Sequence, residues 1–203
     1  MRKATRIVAM VLGILAGIAG LEHGFFETLQ GNTRPAGLMF ASWGPQVCDP
    51  ARVWHACEPA MSLLPNFLIT GIITLVLSLA ILVWSVFFIQ RKHGGLVLLL
   101  LSIVQLLLGG GFFPPLIGLV GSAAGMAIRK PISKTPSKLT RFIARLWPWP
   151  LVLLTVWLVA QFPVGALFND WLKSVIGLAL LFIVVMLPFS VWCAYAKDAV
   201  RAA

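Results

Sequence analysis

Charge is what this chain has least of. Charged residues make up 11% of its 203 positions, against about 25% in an ordinary soluble domain. No Asp, Glu, Lys or Arg occurs across residues 96–128, 146–169 or 174–196. A charge at the bilayer centre costs about 2.5–3.5 kcal/mol even on lenient scales, so a hydrocarbon solvent imposes that spacing. The gaps leave no room for a separate soluble domain, and residues 1–203 read as one integral membrane domain.

Other absences narrow the function. Coupled carriers place Asp, Glu or His near the midplane and voltage sensors place Arg there, and this chain offers neither. The three cysteines make no Cys-x-x-Cys. There is no His-Glu-x-x-His, no Gly-x-Ser-x-Gly elbow and no Walker lysine, so no catalytic residue is nominated. No repeat of 20–50 residues is visible. No Asn-x-Ser/Thr acceptor interrupts the short loops, a pattern compatible with a prokaryotic plasma membrane.

What is present is a net charge of +10. The cations sit beside apolar runs, not in a soluble patch, so the expected partner is an anionic inner leaflet and not nucleic acid. The expected fold is all-α, a polytopic transmembrane helical bundle of six membrane segments with both termini inside. The segments are 7–29, 62–89, 96–111, 114–128, 151–168 and 174–195, with an outer loop at 30–61. Arg2, Lys3 and Arg6 before the apolar residues 7–20 would also suit a signal peptide. A retained helix is preferred, because the apolar pattern resumes through Phe25, Phe26 and Leu29.

Residues 96–128 decide the topology. As one helix they would run about 50 Å, against a hydrocarbon core of about 30 Å. Their middle, Gly109, Gly110 and Gly111 followed by Phe112, Phe113, Pro114 and Pro115, predicts a break and a hairpin turn. A hairpin puts Arg2, Lys3, Arg6, Arg91, Lys92, Arg129, Lys130, Lys134, Lys138, Arg141, Arg145, Lys197 and Arg201 inside. Only Arg34, Arg52 and Lys173 are then outside. A single crossing would move the basic residues at 129–145 and the last two outside and bring Lys173 in. That reverses the bias, and the positive-inside rule selects the hairpin. Two short crossings are expected in preference to a re-entrant loop, although each arm reaches only about 24 Å.

An inner basic segment, 129–147, follows. Ser137 is placed to cap a helix with Leu139, Phe142, Ile143 and Leu146 on one face and Lys138, Arg141 and Arg145 on the other. In the second segment Ser62, Asn66, Thr70, Thr74 and Ser78 recur at intervals of four. They predict polar contacts between packed helices, with Ser102, Gln105, Thr155 and Gln161 as partners. Pro65 is expected in that segment's first turn and a kink at Pro188 in the last. Small-residue pairs at Gly13 and Gly17, and at Gly121 and Gly125, predict close helix packing.

The one dense polar constellation lies on the outer side. His23 and Glu27 share a helix face, and His55 and Glu58 lie in the loop with Cys48 and Cys57. Imidazole and carboxylate are metal ligands, so His23, Glu27, His55 and Glu58 form a candidate metal or haem site. The two loop cysteines are more naturally a disulfide on an oxidising face, and Cys193 a lone packing thiol. With no motif to support a cofactor, none is the leading expectation. The function expected first is a non-enzymatic accessory or assembly subunit, alone as a homo-oligomer or with a membrane partner protein. An outer-face metal- or haem-binding redox protein comes second, and a channel or uncoupled facilitator third.

Overall fold

Helix α1 (Lys3–Leu29) packs against the second, fourth and last of the described helices. The computed structural model describes residues 2–41, 59–132 and 135–203. At about 1.5 Å per residue, α1 is about 40 Å long. Its buried residues are mostly small, among them Ala9, Gly13, Ala16, Gly17, Gly20 and Gly24. That smoothness lets α2 (Phe67–Phe87) lie against it. A Cβ on Gly17 would stand 2.9 Å from the Leu82 Cβ and 3.0 Å from the Ser78 carbonyl. Small residues permit such approach, which matters where lipid supplies no hydrophobic drive between helices. Gly13 faces Ser85 of α2 in the same way.

The rest of the chain runs through α3 (Gly94–Leu107), α4 (Phe113–Ala127), α5 (Lys138–Leu146), α6 (Trp149–Leu167), α7 (Asn169–Ser174) and α8 (Ile176–Ala202). Among the described residues four helices are long and apolar enough to cross a membrane: α1, α2, α5 continued into α6, and α8. Helices α3 and α4 are apolar but shorter. They form a hairpin against α1, with Gly121 facing Leu12 and Gly13, and Gly125 facing Gly95 and Ile89.

Hydrogen bonds identify the two ends of the bundle. At one, the Arg2 amide donates to the Ile128 carbonyl at 3.2 Å, and Arg6 Nη1 donates to Gln90 Oε1 at 3.0 Å. Asp198 of α8 accepts from the first turn of α1, through the amides of Ala4 at 3.0 Å and Thr5 at 2.8 Å. Thus the start of α1 meets the ends of α2, α4 and α8. At the other end, Asn66 Nδ2 donates to Asn32 Oδ1, and the turn between α3 and α4 reaches the last turns of α1. The hairpin therefore extends from one end of the bundle to the other.

Local chemistry moved several expected boundaries. Helix α2 starts at Phe67, five residues later than expected, because Asn66 accepts from the Ile69 amide and caps it. Pro65 precedes that cap and lies outside the first turn. Ser62 is outside the helix too: its hydroxyl accepts from the Leu64 amide at 3.0 Å, which holds a turn. Pro114 and Pro115, at the expected start of the fourth segment, open α4, where a missing N–H is harmless. The expected loop at 30–61 contains an antiparallel ribbon, β1 (Met39–Ala41) with β2 (Pro59–Met61), in register Phe40 to Ala60. Helix α8 continues through Pro188.

Ser137 caps α5, accepting from the Thr140 amide at 3.2 Å. That helix turns Ile143 and Ala144 toward Cys193 and Ala196 of α8. Leu139 and Phe142 remain exposed. Of the expected polar partners, Gln105 Nε2 donates to Ser78 Oγ at 2.8 Å. Thr74 Oγ1 reaches the Leu108 carbonyl at 3.4 Å. Ser102 and Gln161 instead bond carbonyls of their own helices.

Candidate functional site

The end of α1 carries two ionisable side chains that the fold removes from solvent. His23 and Glu27 are four apart and face the same way, so one helix presents both. His23 is 3% exposed and Glu27 0%. Burying a carboxylate is expensive unless donors or a counter-charge accompany it. The polar groups nearest the Glu27 carboxylate among the described residues are the His23 ring and the Thr70 hydroxyl, and neither makes a well-formed hydrogen bond to it. The His23 Nε2 lies 3.7 Å from Glu27 Oε1, an ion-pair distance too long for a hydrogen bond.

The roof over this pair is the glycine turn. Gly109 and Gly111 have φ of 98° and 70°, a left-handed conformation that glycine adopts without steric cost. A Cβ on Gly111 would come 2.8 Å from His23 Cε1, and one on Gly109 2.9 Å from Glu27 Oε2. The positions require glycine twice over, for conformation and for space. The Gly109 amide donates to the Met61 carbonyl at 2.9 Å, and the Leu63 amide to the Leu107 carbonyl at 3.0 Å. The segment from β2 into α2 therefore braces the turn. Thr70 of α2 forms the adjoining wall, its Cβ near Gly109, with its hydroxyl turned to the Asn66 carbonyl at 3.0 Å.

Of the predicted metal ligands, His23 and Glu27 come together with the turn residues Gly109 and Gly111. His55, Glu58, Cys48 and Cys57 lie outside the described residues, and with them the expected disulfide. Among the described residues no group of three or more His, Cys, Asp or Glu side chains is disposed to hold a metal ion. Cys193 is a free, buried thiol. Two functional positions escaped the sequence reading. Thr70 was read only as a packing hydroxyl. Asp198 was not singled out, although it is the one acid in a basic tail between Lys197 and Arg201.

Two side chains of this kind can do limited chemistry alone. Two ligands on one ion in a regular tetrahedron, at 2.0–2.2 Å each, stand about 3.4 Å apart. The 3.7 Å separation of His23 and Glu27 is close to that spacing. The class defined by fold and site is an all-α protein, with four helices among the described residues long and apolar enough to cross a membrane and a buried His–Glu pair at one end of its bundle. A comparison with family models, with characterised proteins and with solved structures found no match.

Proposed function

We propose that this is a plasma-membrane protein of six crossings, with both termini inside, that binds a transition-metal cation at its outer end without catalysing a reaction. The observation carrying the metal reading is the Glu27 carboxylate, fully buried, 3.7 Å from an imidazole and without a well-formed hydrogen bond among the described residues. A divalent cation would supply the counter-charge that an ionised Glu27 needs at this buried position. His23 and Glu27 are two ligands, and His55 and Glu58 are the residues the sequence offers to complete the set.

Purified protein equilibrated with zinc and desalted is expected to retain metal. Glu27→Gln and His23→Ala are each expected to weaken retention more than about tenfold. Elemental analysis reads the content, and an absorption spectrum tests for haem in the same sample. If the wild type emerges without metal or haem, or Glu27→Gln retains as much as wild type, the metal reading fails.

The topology rests on the charge bias together with the meeting of both terminal regions at one end of the bundle. It predicts a labelling pattern for single cysteines in a background lacking Cys48, Cys57 and Cys193. Cysteine at Arg34 or Lys173 is expected to react with an impermeant maleimide in intact cells, and cysteine at Lys138 or Arg201 only after lysis. Labelling of both sets in intact cells would refute it.

A second reading, an accessory subunit, is favoured by α6. That helix buries only Pro150, Leu151, Leu154 and Gly165, and leaves Leu153, Val156 and Val159 facing outward. Recovery of one specific co-purifying membrane protein, lost on Val156→Trp, would support that role. A channel finds less support, because the glycine turn is packed against His23 and Glu27.

A further inference from the structure

The opposite end of the bundle, where α1 begins and α4 and α8 finish, forms an open cavity of about 750 Å³. Ligand sites commonly have this size. Among the described residues its charged lining is Arg2, Lys3, Arg129, Lys130 and Arg201, against the single acid Asp198. That acid is already engaged. Its carboxylate accepts from the Ala4 amide, the Thr5 amide and the Thr5 hydroxyl, all within 3.0 Å. Five cations thus face a shared space whose one carboxylate is directed at the start of α1.

Arg2 is fixed in place. Its Nε donates to the Lys130 carbonyl and an Nη to the Pro131 carbonyl, both at 3.1 Å. Its guanidinium also lies over the Tyr195 ring, 5.6 Å from the centroid. A guanidinium held this way loses little freedom when it meets an anion. Ile128 and Ile132 give the cavity an apolar side. Like charges gathered around one cavity repel unless an anion is shared among them. An anion with several oxygens and an apolar body satisfies both kinds of lining.

We propose that this cavity binds a phosphate oxyanion, carried by an anionic phospholipid headgroup or by free phosphate. Basic pockets between membrane helices take such headgroups. The inference rests on membrane residence. It does not depend on which end faces inward or on the His23–Glu27 pair at the other end.

The test is thermal unfolding of the full chain in detergent, titrated with phosphatidylglycerol, with phosphatidylcholine, or with inorganic phosphate alone. Phosphatidylglycerol is expected to raise the melting temperature and phosphatidylcholine not to. The double variant Lys130→Glu with Arg201→Glu, which alters no hydrogen bond described above, is expected to bind about thirtyfold more weakly. Arg91→Glu with Lys92→Glu adds the same charge outside the cavity and is expected to leave the response intact. Inorganic phosphate reproducing the shift, with loss in the first variant only, would identify free phosphate as the source. Equal stabilisation by the two lipids, or equal loss in the two variants, overturns the proposal. If the glutamate variant melts early without lipid, Lys130→Gln with Arg201→Gln replaces it, and a wild-type response there is also fatal.

Discussion

Adding one methyl group at Gly95 is expected to prevent recovery of folded protein, whereas the same change at Gly177 passes almost unnoticed. A Cβ on Gly95 would lie 2.2 Å from the Met126 amide nitrogen, 2.6 Å from the Gly125 carbonyl carbon and 2.7 Å from the Ser122 carbonyl oxygen. All three are backbone atoms of α4 or its end, so no side chain can rotate away. Relief requires α3 and α4 to separate, and with them the hairpin that carries the glycine turn to His23 and Glu27. Overpacking of a well-filled interior costs about 1–3 kcal/mol where neighbours can adjust, and more where they cannot. At Gly177 nothing lies within 4 Å, and alanine should be neutral or slightly favourable in the helix. Size-exclusion profiles and melting temperatures of Gly95→Ala and Gly177→Ala check this. Similar behaviour of the two variants would contradict the packing described.

Asp198→Ala is the second large effect. It leaves the amides of Ala4 and Thr5 and the Thr5 hydroxyl without their acceptor at a buried site. Orphaned buried groups cost about 1–3 kcal/mol each. A total near 3 kcal/mol corresponds to a fall of about 10 °C for a chain of this size. The negative charge also complements the dipole at the start of α1, an effect of up to about 2 kcal/mol in partly buried geometry. Asp198→Asn retains an accepting oxygen and should fall less. Thr5→Ala removes one bond and should cost about 1 kcal/mol. A melting temperature for Asp198→Ala within about 1 °C of wild type would show that α1 has another cap.

Parts of the architecture were legible because they follow from local chemistry. The charge-free runs marked apolar helices, since exclusion of charge from hydrocarbon acts on every residue of a segment. Ser137 announced α5 because a cap requires only a hydroxyl at the right place. The glycines at 109–111 announced a turn, and the prolines at 114 and 115 marked where the following helix opens. What escaped was set by long-range pairing. The register of Met39 with Met61 cannot be read from either short segment alone. Sequence spacing put His23 and Glu27 on one face, but their burial under Gly109 and Gly111 depends on how the hairpin docks. Nothing near Asp198 in the sequence marks its role, because its partners lie at the far end of the chain.

That separation has a temporal consequence. Ala4 and Asp198 are 194 positions apart, so the first turn of α1 leaves the ribosome about 10–40 s before its hydrogen-bond acceptor exists. During that interval water or lipid headgroups must serve the exposed amides. This contact closes only when α8 reaches the start of α1. A chain interrupted before residue 198 would carry every apolar segment and still lack the contact that fastens the bundle shut.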